Sequence, residues 1–529
     1  MSGIISQLLN KNASIIEETI NNIKEAYKQD NRPWVVGYSG GKDSTVVVQL
    51  VFQALCALPK EDLHKKVYII SSDTLVETPL IINSITRTLR RIQDEALKRD
   101  LPIETHKVKP NIKQSFWVNI IGKGYPTPNQ QFRWCTDRLK IDPANQFIME
   151  KVSSFGEVIM VLGVREDESA TRANVIRSHT VDGKTFMKHS TLSNAYVYAP
   201  IRAFSLDDVW HYLLNYPSPW GDDNHELHKL YQDSNSGECP LVIDKSIKES
   251  AGSCGNSRFG CWVCTVVNED KALSGFIQSG HNWMKPLLNF RNWLSQIRDD
   301  RTKRMKYRMN GQIYFNEVKI EYINDLPHVL IPKKSSRLKQ HIPLSDFTII
   351  NKDNLKEYVE MNNIDLSASI DHKLLITYDE ETLDGNVVKR YAQLGLGPFT
   401  METRQEILIR LLEVQKNLTH PDDPNYELIS IEELKEIRKI WFNNGVWDDP
   451  IPTIYKEIFK KDVDWEIDDR PLFDKDQVSD LELLCEQYKV DINVLKKLIA
   501  IEKSYSGYKV RRGLMDELSK TLKQDYLHL

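Results

Sequence analysis

Polar and apolar positions recur with a helical period over residues 13–29. After the breaker Asn31-Arg32-Pro33, the uninterrupted apolar run Trp34-Val35-Val36-Gly37-Tyr38 predicts a buried strand. An apolar helix pattern resumes over 45–58, and Lys66-Val67-Tyr68-Ile69-Ile70 predicts a second strand that ends at Ser71-Ser72-Asp73-Thr74. Strand, loop, helix and strand make a βαβ unit. The pattern continues with a helix over 79–99 and a strand over 103–108. A buried strand Glu157-Val158-Ile159-Met160-Val161-Leu162-Gly163 then runs into a charged loop, Tyr196-Val197-Tyr198-Ala199-Pro200-Ile201 follows, and a helix covers 206–214. The class is α/β with a mainly parallel sheet, whose ligands gather at the carboxyl ends of its strands.

Beyond about residue 345 the pattern changes to acidic amphipathic helices over 402–417, 430–442 and 478–503, broken by His420-Pro421-Asp422-Asp423-Pro424. The expected organisation is an α/β domain over 1–270, a basic insertion over 271–345 and a mainly helical region over 346–529. A chain of 529 residues accommodates two to four domains at roughly 100–200 residues each. With 41% hydrophobic and 27% charged residues, composition excludes collagenous and wholly disordered chains. No apolar run reaches the roughly 18–20 residues of a membrane helix, and the amino terminus lacks a signal-peptide cleavage pattern, so a cytoplasmic protein is expected. The net charge of -4 argues against a protein coated in cations. Residues 285–341 nonetheless hold thirteen Lys or Arg against five Asp or Glu. Trp283, Trp293, Tyr307 and Tyr314 are interleaved there with Arg291, Arg298, Arg301, Arg304 and Arg308. Such a segment follows a nucleic-acid backbone or forms a solvated helix face.

Between the first strand and its helix the chain turns on Ser39-Gly40-Gly41-Lys42-Asp43-Ser44. Consecutive glycines at a helix amino terminus free backbone N–H groups to converge on an anion, which predicts a phosphate site. Lys42 adds a cation, Ser39 and Ser44 add hydroxyls, and Asp43 makes sense beside phosphates as a magnesium ligand. Walker spacing is absent, because Val36 stands where a glycine is needed and Asp43 where a serine or threonine is needed.

This hexapeptide resembles the PP-loop of the ATP pyrophosphatase superfamily, which holds the pyrophosphate of ATP while the α-phosphate is attacked. Asp73-Thr74 with Glu77-Thr78, Gly163-Val164-Arg165 with Glu168-Ser169 and Arg172, and Pro200-Ile201 followed by Asp207-Asp208-Val209-Trp210 are similar to segments of its phosphoadenylylsulfate-reductase-like branch. The resemblance implies an adenine nucleotide alpha hydrolase-like fold that binds ATP and Mg2+. It assigns nucleotide contacts to Ser39, Gly40, Gly41, Lys42, Asp43, Ser44, Asp73, Gly163, Arg165 and Arg172, with Lys42 and Asp43 catalytic. Arg133-Trp134-Cys135-Thr136-Asp137-Arg138-Leu139-Lys140 and Cys254-Gly255-Asn256-Ser257-Arg258-Phe259-Gly260-Cys261-Trp262-Val263-Cys264 further resemble the sulfur-transfer subunits of bacterial DNA phosphorothioation systems. The implied partners are DNA, a cysteine desulfurase as sulfur donor, and the other subunits of the Dnd modification complex, DndD and DndE.

Four of the seven cysteines fall within 26 residues, which suits a metal or redox site better than a disulfide framework. Cys261 and Cys264 form a C-x-x-C with Cys254 nearby, and spacing alone leaves zinc and an iron–sulfur cluster both open. In the resembled branch a cysteine preceding a Leu-Lys segment contributes to a 4Fe-4S cluster, which implies Cys135, Cys254, Cys261 and Cys264 as ligands. Cys239 is an alternative ligand or a persulfide carrier. Cys56 and Cys485 lie in apolar helix patterns and are expected to be buried and inert.

The expected activity is adenylation of a non-bridging DNA phosphate oxygen followed by its replacement with sulfur. Competing readings are a sulfonucleotide reductase, a tRNA thiolase and a non-catalytic DNA-binding subunit. Against the reductase, the E-C-G-L-H motif of that family is missing and no cysteine follows Cys485.

Overall fold

The computed structural model describes residues 2–168, 185–188, 192, 194–234, 259–332, 339–381, 387–465, 475–505 and 511–523. The chain forms two compact units, one of Met1–Phe116 with Asn129–Leu288 and the other of Trp117–Pro128 with Asn289–Leu529.

In the first unit, β1 (Trp34–Gly37), β2 (Val67–Ser72), β3 (Ile103–Val108), β4 (Val158–Val161), β5 (Met187–Lys188) and β6 (Ala195–Tyr198) build one sheet in the order β3-β2-β1-β4-β6-β5. All its pairings are parallel except the edge pair β5 with β6. Val36 on β1 faces Ile69 on one side and Val161 on the other. A central parallel strand is covered on both faces, which is why β1 reads as a continuous apolar run. Helix Asp142–Phe155 lays Ile148 and Val152 on Val35, Tyr68, Ile70, Val158 and Ala195. The chain builds outward from β1 through β2 to β3, then returns to place β4 on the opposite side of β1. That reversal makes a topological switch point between β1 and β4, at whose carboxyl ends α/β sheets bind ligands.

The second unit holds a six-stranded sheet where a basic insertion and helices were expected. It comprises β7 (Phe315–Ile323), β8 (Leu326–Pro332), β9 (Lys339–Pro343), β10 (Thr348–Asn351), β11 (Leu374–Glu381) and β12 (Val387–Leu394), ordered β10-β11-β12-β7-β8-β9. Only β10 with β11 is parallel. On one face Ile350, Leu374, Ile376 and Leu394 share a core with Leu355 and Val359, and on the other Val318, Val329, Phe347 and Leu375 form a second. β7 alternates exposed Glu317 and Lys319 with buried Val318. This period of two is hidden from a charge count, because Glu317 and Lys319, of opposite sign, both stand on its solvent side.

Helices Met401–Asn417, Ile431–Asn443, Pro450–Phe459, Lys475–Tyr488, Ile492–Ser504 and Leu514–Leu522 follow. The helix expected over 478–503 is two helices, separated where Lys489 adopts a φ of 55°. Residues 117–128 are anchored in this unit: the Trp117 indole N–H donates to the Leu428 carbonyl at 2.7 Å, and the Trp441 indole N–H donates to the Ile121 carbonyl at 2.8 Å. Among the described residues, no helix is long and apolar enough to cross a membrane.

Candidate functional site

The glycine turn joins β1 to helix Lys42–Cys56. Gly40 has a φ of 73°, and a Cβ built there would lie 2.6 Å from Ile85 Cγ1, so conformation and space both call for glycine. The serines fold the turn onto itself: the Ser39 N–H donates to Ser44 Oγ at 3.2 Å, and Ser44 Oγ donates to the Gly41 carbonyl at 2.9 Å. The Lys42 N–H, in the first turn of the helix, donates to the Tyr231 hydroxyl at 3.2 Å. Gly163, just beyond β4, lets that loop lie on the same helix terminus, since a Cβ there would sit 2.9 Å from the Asp43 carbonyl carbon.

Asp43 is the electrostatic centre of the turn. One carboxylate oxygen lies 3.2 Å from Lys42 Nζ and the other accepts from Arg165 Nε at 2.6 Å. Lys42 and Arg165 are both buried. Arg165 also donates to the Phe204 carbonyl at 3.4 Å. Two cations already neutralise Asp43, so as arranged the carboxylate orients Lys42 and Arg165, and the charge argument for a magnesium ion on it falls away. Asp73, just past β2, accepts from the Leu75 N–H at 3.0 Å and lies 3.6 Å from Lys107 Nζ.

The segment after β2 also reaches the thiols. Cys261 pairs with Glu77 as an isolated antiparallel bridge, the Trp262 N–H donates to the Val76 carbonyl, and Thr78 donates through its hydroxyl to the Gly260 carbonyl at 2.8 Å. Cys261 Sγ lies 3.3 Å from Thr74 Oγ1 and 3.8 Å from Glu77 Oε1, which Lys140 Nζ approaches to 3.3 Å. Burial and then the Glu77 charge push the Cys261 thiol well above the ordinary cysteine range. Burial and then Cys264 raise Cys135 as well, and the neighbouring Cys261 and then Glu77 push Lys140 up against its own desolvation. The structure thus brings Cys135 and Cys261 near Lys140, with Cys264 close to both thiols. Three half-buried thiols are the donor chemistry of an iron–sulfur or zinc centre. Among the described residues, however, no three His, Cys, Asp or Glu side chains close into a metal-binding set. Cys239, Cys254, Ser169 and Arg172 lie outside the described residues.

Three residues were missed as site groups. Thr74, Glu77 and Lys140 lie in the quoted motifs, yet nothing in their spacing shows that they meet at Cys261. Tyr231 gave no local signal and arrives through the helix Asn224–Asp233. Cys485 is buried as expected, but Cys56 is exposed at the end of its helix with Arg99 Nη1 at 3.7 Å.

The cations of the basic segment divide between buried and exposed positions. Arg291, Arg298, Arg304 and Lys306 are buried. Arg304 donates to the carbonyls of Gly397 at 2.6 Å, of Leu396 at 3.3 Å and of Arg298. Lys306 Nζ donates to the carbonyls of Arg301, Arg304 and Ile370 at 2.6, 2.7 and 2.9 Å. Arg301 pairs with Asp371 at 3.0 Å. Arg304 and Lys306 thus tie loops of the second unit together through backbone acceptors, whereas Arg308 is exposed and Lys333, Lys334 and Arg337 lie outside the described residues.

Residues 33–267 match the family model of the phosphoadenosine phosphosulfate reductase domain. An uncharacterized protein of Methanocaldococcus jannaschii is 27% identical over 245 residues, 46% of this chain and 38% of that protein, so the chain spans well under half of this curated relative. Three solved structures are similar at low TM-score. FMN adenylyltransferase of Candida glabrata with FAD and inorganic pyrophosphate has a TM-score of 0.26 and 16% identity over 42% of this chain and 63% of that one. Phosphoadenylyl-sulfate reductase of Candida auris in a phosphate complex has 0.26 and 13% over 40% and 85%. The U34-tRNA thiolase NcsA of Methanococcus maripaludis with its 4Fe-4S cluster has 0.25 and 15% over 43% and 75%. Over residues 33–267 the chain is similar to the phosphoadenosine phosphosulfate reductase domain.

Proposed function

We propose that the protein performs nucleotide-dependent sulfur transfer: it cleaves ATP between the α and β phosphates, adenylates an acceptor, and has the AMP displaced by sulfur. The observation that carries this reading is the continuity of the segment 73–77, with Asp73 at the carboxyl end of β2 and Thr74 and Glu77 against Cys261. The turn Ser39–Ser44 and Lys42 hold the leaving pyrophosphate. Arg165 faces the charge that develops at the α-phosphate, and Asp43 orients both cations before the nucleotide arrives. Cys135, Cys261, Cys264 and a further cysteine would hold a 4Fe-4S cluster, which would supply redox chemistry for the sulfur step.

The finer reading is that of the DndC sulfurtransferases, with DNA backbone phosphate as acceptor and a cysteine desulfurase as donor, alongside DndD and DndE. Support comes from the resemblance of residues 133–140 and 254–264 to that family. The test is anaerobic incubation of the full chain with ATP, DNA and a desulfurase, followed by nucleotide analysis and mass spectrometry of digested DNA. AMP, pyrophosphate and sulfur-containing dinucleotides are expected. Release of ADP and orthophosphate would sink the adenylation, and sulfur appearing in tRNA alone would replace DNA as acceptor.

A further inference from the structure

Arg291, Arg298 and Arg304 of the basic segment are buried, and the first unit has exposed cations of its own. Residues 105–116 and 129–140 together hold six Lys or Arg and one Asp or Glu in a chain of net charge -4. Phe116 stacks on Trp134 with ring centroids 5.5 Å apart, which fixes the two stretches side by side. Both stand at the carboxyl edge of the parallel sheet, because Lys107 reaches Asp73 and Lys140 reaches Glu77, each just past the end of β2. Lys109, Lys113 and Arg133 are exposed, as is Phe132 at 43%. Asn129 builds the tip that presents Phe132, its side chain accepting from the Gln131 and Phe132 N–H groups at 2.9 and 2.8 Å. A surface that serves solubility alone intersperses both signs of charge, whereas this one carries a single sign with an aromatic face at its tip.

We propose that this rim, Lys109, Lys113, Phe132 and Arg133, is the surface on which a single-stranded nucleic acid lies. The cations follow the phosphodiester backbone and Phe132 stacks on an unpaired base. The proposal deepens the function above by giving the acceptor its seat, and it rests on that reading only for what happens to the bound strand. It also accounts for where an acceptor phosphate enters, since the same stretch carries Cys135 and Lys140.

The test is fluorescence anisotropy of the full chain against a single-stranded DNA oligonucleotide and an RNA of the same sequence, over a range of salt. The triple variant Lys109→Glu, Lys113→Glu, Arg133→Glu is expected to lose about thirtyfold or more in affinity at low salt, with the slope of log K against log salt falling by about 2. Phe132→Ala is expected to lose about fivefold with the slope unchanged. Lys319→Glu with Lys389→Glu, exposed on the second sheet, is expected to change nothing. The tighter of the two probes identifies the acceptor. A wild-type chain that binds neither probe, or a triple variant with an unchanged slope, overturns the proposal. AMP and pyrophosphate release is followed in parallel: cleavage retained without binding leaves the nucleotide chemistry standing, whereas binding without cleavage removes that chemistry and leaves the rim.

Discussion

Cations are buried in both units, against different partners. In the first, Lys42 and Arg165 share one carboxylate, Asp43, at the amino terminus of a helix. In the second, Arg304 and Lys306 each donate to three backbone carbonyls, and Arg404 donates to the Gly122 carbonyl. A carboxylate is a partner that phosphate oxygens can replace at small structural cost. Backbone carbonyls are held by the fold and have no substitute. Burial of charge is expensive in both places, and it pushes Arg304 and Arg404 down to about 10. The difference is that one set keeps an exchangeable counterion beside helix N–H groups, which marks a binding site. The other set is mortar.

The sharpest way to break this comparison is Arg304→Leu, which leaves three buried carbonyls without their donor. A loss of about 3–5 kcal/mol is expected in the unfolding of the second unit, with ATP cleavage per folded molecule unchanged. A variant of wild-type stability would show that the carbonyls find water and that the cations are incidental.

Lys42→Ala is expected to behave in the opposite way. Cleavage of ATP to AMP and pyrophosphate should fall by about 100- to 1000-fold while denaturant unfolding changes little. Equal losses of stability and turnover would place Lys42 with the mortar.

Asp43→Asn probes exchangeability itself, because it leaves two buried cations uncompensated. The variant should melt lower than wild type by an amount worth about 1–3 kcal/mol, and inorganic pyrophosphate should restore most of it, since an anion takes the place of the carboxylate. If pyrophosphate stabilises the variant no more than the wild type, Asp43 is not a stand-in for phosphate.

The smallest effect is expected from Tyr231→Phe. The hydroxyl accepts from the Lys42 N–H, a donor that a bound phosphate would claim, so nucleotide binding must first break that bond. Its removal should tighten pyrophosphate binding by about fivefold, as titration calorimetry would measure, in line with roughly 1 kcal/mol per hydrogen bond. Weaker binding would mean that Tyr231 contacts the ligand directly.

Much of the first unit was legible in the amino-acid order. The apolar run at 34–38, the paired glycines and the helix after them describe a parallel strand entering a phosphate turn, and all of these signals are contiguous along the chain. Arg165 and Gly163 were recognised by motif, and the thiols at 261 and 264 by spacing. The second sheet was not legible, because β7 alternates charged and apolar residues too weakly to stand out within a segment read by its surplus of cations. The fate of the arginines was not legible either. A cation on a sequence looks the same whether it meets water or a carbonyl, and the acceptors of Arg304 and Lys306 include carbonyls at 370, 396 and 397, more than 60 residues away. Tyr231 over Lys42, at a separation of 189 residues, belongs to the same class. Local periodicity and turn chemistry are encoded by neighbours along the chain. The partner of a buried charge is chosen by whichever distant backbone the packed core brings within hydrogen-bond reach, and only the tertiary structure decides that.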